Sequence, residues 1–167
     1  NTLRYEVKTG AAILSAVDDF AAVRMCVFHD FPYLYEGTLE HERDYLQTYC
    51  KAANAFLFAV YDGEKMIGAT TCIPLKDEVE EVWQPFLDAG MDIDKIYYFG
   101  ESVLLPEYRG LGLGHRFFDE REAHVRSFGT YRHMAFCAVN REANHPLKPN
   151  DCLLCGQPGS QSSLKTE

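Results

Sequence analysis

Between residues 101 and 114 the chain reads Glu-Ser-Val-Leu-Leu-Pro-Glu-Tyr-Arg-Gly-Leu-Gly-Leu-Gly. Residue types predict a strand over Lys95 to Leu104, a glycine-rich turn from Arg109 to Gly114 and a helix from His115 to Arg126. Glycines at 110, 112 and 114 let backbone amides approach a ligand with no Cβ in the way. The first turn of a helix leaves several N–H groups unpaired and carries partial positive charge. Together these features make an anion site suited to a phosphate or pyrophosphate. Each charge-assisted hydrogen bond there contributes roughly 1.5–3 kcal/mol. Arg109 adds a charge at the rim. His115 is either a phosphate contact or an exposed first-turn residue.

Two familiar phosphate loops do not fit. The dinucleotide fingerprint Gly-x-Gly-x-x-Gly, begun at Gly110, requires glycine where His115 stands, and it usually opens a fold rather than arriving two-thirds along it. The Walker loop needs Gly-Lys-Ser/Thr after its spacer, and no such tripeptide occurs. A plain connecting turn is the bland alternative, although three alternating glycines are a costly choice for one. The run Arg109-Gly-Leu-Gly-Leu-Gly114 resembles the Arg/Gln-x-x-Gly-x-Gly/Ala motif of the GCN5-related N-acetyltransferases, and Val103-Leu-Leu-Pro-Glu-Tyr108 resembles that family's lead-in. The order of elements agrees over residues 3 to 140.

The resemblance implies acetyl-CoA as acyl donor and a primary amine as acceptor, a small molecule or a peptide. It implies that backbone groups of Ser102, Val103 and Leu104 pair with the pantetheine arm. Amides of Arg109, Gly110, Leu111, Gly112, Leu113 and Gly114 would hold the pyrophosphate. The arm would lie where the 96–104 and 131–139 strands part. Asn140 matches a position where the family often has an Asn near the cofactor, or else simply ends a strand. A lysine-like amine of pKa ~10.4 is mostly protonated at pH 7, which costs about 4.6 kcal/mol, so the transfer needs a proton acceptor. Glu101 lies where the family often places a carboxylate and is the candidate base; a one-residue slip in register would make it a surface group. The family often uses a Tyr after the 131–139 strand to meet the leaving thiolate, but no Tyr follows Tyr131, so no general acid is assigned. The acceptor would sit near Phe31, Tyr33, Tyr35 and Glu36, whose aromatic faces and carboxylate suit an amine; the same aromatics could equally pack that loop onto the core. No Cys or Ser nucleophile with an adjacent base is visible, which fits direct attack. A non-catalytic acyl-CoA-binding module and a nucleotide-binding redox domain stay open as rivals.

These residues need a frame. Leu3 to Lys8 alternates as a strand ended by Gly10, and Ala11 to Phe31 predicts a helix with Ile13, Val17, Phe20, Ala21, Met25 and Phe28 on one face. Thr38, a plausible N-cap, opens a second helix reaching about Ala53. Phe56 to Tyr61, the Asp62-Gly63 turn and Lys65 to Pro74 read as a hairpin. Lys76 to Ala89 is an acidic helical insertion whose Asp77, Glu78, Glu80 and Glu81 read as a solvated face. Tyr131 to Val139 is the last predicted strand. The strand–helix–strand succession near the end implies a crossover. The expected fold is therefore α/β (α+β): a mixed, mostly antiparallel central sheet of five to seven strands with flanking helices, the acyl-CoA N-acyltransferase (GNAT) architecture. The domain is expected over 1–147, and 148–167, rich in Gly, Ser and Gln, as a loose tail lacking the family's final helix and strand.

The chain has 167 residues, enough for one domain, and 47% are hydrophobic, enough for a core. A formal charge of -9 argues against nucleic acid or an anionic membrane as partner. No run of 18 apolar residues exists, and Asp18, Asp19 and Arg24 interrupt the best stretch. No signal peptide is recognised, and since the first residue is Asn1, at least an initiator Met is expected ahead of it. Cys26, Cys50, Cys72 and Cys137 lie in apolar segments and read as buried thiols of a reducing, cytoplasmic compartment. Cys152 and Cys155 alone cannot fill a zinc site, and the histidines show no metal pattern, so no metal is expected. A homodimer is compatible with everything above.

Overall fold

A computed structural model of the chain describes residues 2–29, 38–139 and 160–166. One sheet of six strands organises them in sequential order: β1 (Leu3–Thr9), β2 (Phe56–Asp62), β3 (Lys65–Pro74), β4 (Ile96–Leu104), β5 (His133–Val139) and β6 (Ser160–Thr166). Every neighbouring pair is antiparallel except β4 and β5, which run parallel. The helices are α1 (Val17–His29), α2 (Leu39–Lys51), α3 (Glu80–Asp88) and α4 (Leu113–Phe128), and α4 makes the crossover between the parallel strands. This is the mixed, mostly antiparallel α/β sheet that the residue patterns predict. No helix among the described residues is long and apolar enough to cross a membrane.

Local chemistry explains most of these boundaries. The β2–β3 hairpin turns at Gly63, whose φ of +64° is the left-handed conformation that glycine adopts without a Cβ penalty. Both strands are buried nearly throughout, so they form the centre of the core. Thr38 caps α2, its hydroxyl accepting from the His41 amide at 3.1 Å. The predicted first helix divides: Gly10–Ala16 is a 3-10 helix and α1 begins only at Val17. Gly10 has φ +54°, and a Cβ there would stand 2.9 Å from the Ala53 carbonyl, so the chain must leave β1 through a glycine. Val17, Phe20 and Ala21 are buried on the predicted face, whereas Cys26 is exposed and Cys50 only half-buried. Those two thiols correct the reading of the cysteines as uniformly buried: an apolar neighbourhood in sequence does not fix which side of a helix a residue occupies.

Two features of the sheet were not expected. Ser160–Thr166, within the segment predicted to be loose, pairs along the whole of β5. Its sequence, Ser-Gln-Ser-Ser-Leu-Lys-Thr, has no apolar alternation that would announce a strand. The second is a β-bulge in β4. Thr70 pairs with Ser102 and Cys72 with Phe99, so Gly100 and Glu101 together oppose Thr71. The Glu101 amide donates to Thr71 Oγ1 at 3.1 Å, and Thr70 Oγ1 donates to the Glu101 carbonyl at 2.7 Å.

Gly100 is compulsory at this bulge. A Cβ there would lie 2.0 Å from the Tyr49 hydroxyl and 2.7 Å from Thr71 Oγ1. Gly100→Ala should therefore destabilise the protein by about 3 kcal/mol in denaturant unfolding. Adding Tyr49→Phe should recover part of that loss, because it removes the nearest colliding atom; no recovery would mean the strain lies in the backbone.

Candidate functional site

Strands β4 and β5 form a fork. They pair from Ile96/His133 to Phe99/Phe136 and then separate, leaving Gly100 to Leu104 unpaired on that side. A cavity of about 330 Å³ opens at the crotch, lined by Phe28 of α1, Gly100, Glu101 and Ser102 of β4, and Phe118 and Arg121 of α4, with Phe99 and Phe136 at its base. The bulge directs both the Glu101 carboxylate and the bare face of Gly100 toward α1 and α2. The cavity thus connects the two faces of the sheet through the gap between the strands. Along that gap Ser102 is exposed, Val103 buried and Leu104 half-buried. Main-chain groups alternate along this edge: Val103, like Leu105, turns toward β3, so those of Ser102 and Leu104 turn toward the gap.

The glycine loop lies at the open end of the fork. Pro106–Tyr108 forms a 3-10 turn, held to the β2–β3 hairpin by the Tyr108 hydroxyl donating to Asp62 at 2.6 Å. Gly110 and Gly112 have φ of +83° and +80°, a conformation that favours glycine. The α4 ladder starts with the Arg116 amide donating to the Gly112 carbonyl, so the amides of the preceding turn point outward without intrahelical acceptors. A Cβ at Gly110, Gly112 or Gly114 would meet nothing within 4 Å. Packing therefore does not demand glycine at 114, where it costs roughly 1 kcal/mol of helix stability relative to Ala. An open cradle of amides at a helix start fits a diphosphate. Arg109, Leu111 and His115 are exposed at its rim, Leu113 is buried beneath it, and Arg109 also donates to the Leu104 carbonyl at 3.2 Å.

Glu101 is buried at the cavity wall, not on the surface. It is paired: Arg24 donates to both carboxylate oxygens, from Nε at 2.7 Å and from Nη2 at 2.8 Å. The same guanidinium contacts Glu42, which is fully buried, and lies over the Tyr45 ring at 4.5 Å. Arg24 is thus a buried cation between two carboxylates. The sequence carries a signal for it beyond a break in an apolar stretch: Arg24 falls on the stripe of Val17, Phe20, Ala21 and Phe28.

Glu78 corrects the reading of the acidic run. Asp77, Glu80 and Glu81 are exposed, but Glu78 is only 6% exposed. It precedes α3 rather than riding on it, so helical periodicity says nothing about where it points. Burial pushes its carboxyl up to about 7; the Val79 amide it accepts from at 3.3 Å opposes the shift, and the Glu101 charge adds to it. A carboxyl with a raised pKa binds more protons folded than unfolded, so stability present at low pH is lost as pH climbs from about 4.5 to about 7. Glu78→Gln should flatten that decline and raise stability at pH 8 by roughly 2–3 kcal/mol. Urea unfolding of both proteins at pH 5 and pH 8 checks it, and equal pH slopes would refute it.

Phe31, Tyr33, Tyr35, Glu36, Asn140, Cys152 and Cys155 lie outside the described residues. Among the described residues no three His, Cys, Asp or Glu side chains gather as metal ligands.

The family model described as "Acetyltransferase (GNAT) family" matches residues 22–148. No curated protein matches the chain. Among solved structures, an acetyltransferase from Thermus thermophilus is similar at 17% identity and TM-score 0.58, over 100% of this chain and 98% of that one. An N-acetyltransferase from Staphylococcus aureus is similar at 10% identity and TM-score 0.61, over 86% and 78%. Arabidopsis thaliana NAA60, solved in complex with acetyl-CoA, is similar at 16% identity and TM-score 0.52, over 83% and 76%. At such identities these likenesses speak for the fold, while the family model spans the fork, the bulge and the glycine loop together: the chain belongs to the GNAT family of acetyltransferases.

Proposed function

We propose that this acetyltransferase moves an acetyl group from acetyl-CoA to a primary amine, a small molecule or a peptide, by direct attack of the amine. The observation that carries the reading is the continuity of the open glycine cradle, the unpaired edge of β4 and the cavity that ends at Glu101. The donor supplies an activated thioester, and the chain supplies position and proton management. Amides from Arg109 to Gly114 hold the diphosphate, and the edge from Ser102 to Leu104 aligns the arm. Glu101 faces the amine; each of its oxygens, already accepting once from Arg24, keeps a lone pair for the amine's N–H. It takes up the proton directly or through one water. The catalytic unit is the domain over 1–147, working in the cytoplasm, with Asn140 beside the cofactor and Phe31, Tyr33, Tyr35 and Glu36 at the acceptor.

A thiol-release assay over a panel of amines, beside calorimetry with acetyl-CoA, tests this. Binding together with acceptor-dependent release of coenzyme A is expected. Binding with no release from any amine would favour a non-catalytic acyl-CoA module, and NAD binding in place of acetyl-CoA would favour a redox domain. Glu101→Gln should lower the rate at neutral pH while leaving donor affinity nearly intact; an unaltered pH–rate profile would remove Glu101 from the proton step.

A further inference from the structure

The departing sulfur needs a partner, and the sequence offers no tyrosine for it. The fork supplies another group. Arg121 belongs to the inward stripe of α4, following Leu113 and Phe117 at intervals of four and preceding Val125, and it is only 8% exposed. A cation on an apolar stripe is expensive to bury unless it is paired. Arg24 has two carboxylates; among the described residues Arg121 has none. Its Nε has no hydrogen-bond partner among them, and the guanidinium rests on the Phe99 ring at 4.3 Å. The groups acting on its charge are the Cys72 thiol and the Tyr49 hydroxyl, both neutral at ordinary pH, and burial pushes it down to about 10. Glu101 lines the same cavity, but its carboxylate is turned to Arg24 and makes no ion pair with Arg121.

Phe99 is the last β4 residue paired to β5, so the guanidinium sits where the strands part. Arg121 is eight residues into α4, about 12 Å along the axis from the glycine cradle. Arg121 therefore stands at the inner end of the unpaired β4 edge, with the cradle at the outer end.

We propose that Arg121 receives the leaving group, its guanidinium donating a hydrogen bond to the coenzyme A sulfur as the thioester breaks. This rests on the acetyl-CoA reading given above. In the step, the amine lone pair forms the new C–N bond, and the carbonyl re-forms as the C–S bond breaks. The bonding pair leaves on sulfur, and the amine proton departs toward Glu101. The thiolate then faces a fixed cation and takes its proton from solvent on release. Because Arg121 has no anion beside it among the described residues and gains one as the C–S bond stretches, its contribution is made in the transition state rather than in the ground state.

The test needs no knowledge of the acceptor. Coenzyme A bound to the protein is titrated by the ultraviolet absorbance of its thiolate. In the wild type the bound thiol should titrate at least one pH unit below the free thiol, a tenfold or greater preference for the thiolate. Arg121→Gln and Arg121→Met should abolish that shift, and Arg121→Lys should keep part of it. Coenzyme A lacking its sulfur should bind the wild type and all three variants equally. A bound thiol that titrates like the free one in the wild type would overturn the assignment with no variant needed. So would an identical shift in wild type and Arg121→Gln. A hundredfold loss of affinity for succinyl-CoA, with no change in the thiol titration, would overturn it by making Arg121 a receptor for an acyl carboxylate. Failure of coenzyme A to bind at all would instead overturn the cofactor reading, and this inference with it.

Discussion

Gly112→Asp is expected to leave a folded protein that no longer binds acetyl-CoA measurably. The fold itself should tolerate the change. A Cβ at 112 meets nothing within 4 Å, and Asp is among the few residues that enter the left-handed region, so the φ of +80° is accessible to it. The binding site should not tolerate it. A carboxylate would occupy the space proposed for the diphosphate, removing a charge-assisted bond and adding like-charge repulsion. Together these amount to on the order of 4 kcal/mol, about a thousandfold in affinity. Gly112→Asn has nearly the same shape without the charge and should lose clearly less. Calorimetry with acetyl-CoA, with circular dichroism as the folding control, separates the outcomes. Undiminished affinity in a folded Asp variant would place the diphosphate elsewhere.

The largest effect on stability should come from Arg24→Met. The guanidinium lies between Glu42 and Glu101, both buried, and its removal strands two carboxylates in the core. Breaking a buried pair from one side costs roughly 3–5 kcal/mol. For a chain of this length that is a fall in melting temperature of roughly 10 °C. Adding Glu42→Gln and Glu101→Gln to the same protein should restore much of the loss, since no unpaired charge then remains. Thermal unfolding of the set, read as a cycle between Arg24 and Glu101, gives the coupling directly. A loss below about 1 kcal/mol in Arg24→Met would show that the two carboxylates are not held as the distances indicate.

The two predictions draw on different kinds of information. The glycine turn, its entry into a helix and the strand before it lie within about twenty consecutive residues, and each obeys a local rule. The hairpin at Gly63 and the Thr38 cap are legible for the same reason: glycine's freedom at positive φ and a hydroxyl's reach to a nearby amide do not depend on the rest of the chain. From such pieces the mixed sheet, the crossover and a glycine turn at a helix start follow before any coordinates are known, and the residues of that turn carry the resemblance to the family.

Charge pairing obeys no local rule, and burial obeys one only where a helical stripe marks the inward face. Arg24 and Glu101 are 77 residues apart, and nothing near either one shows that they meet. Glu78 stands in a run of acids that reads as solvated, yet its place just before α3 turns it inward. Arg121 falls on the stripe of Leu113, Phe117 and Val125, but what lies beneath it appears only with the fork of β4 and β5. The bulge that aims Glu101 comes from a register shift against β3, and no apolar alternation announces the pairing of the polar segment β6. The residues of the loop are thus written in the linear order of the chain, because backbone conformation is set by near neighbours. Which carboxylates and guanidinium groups lie in the interior was decided by the packing of α1, α2 and α4 on the sheet, because solvent is excluded from a group only when distant segments close over it.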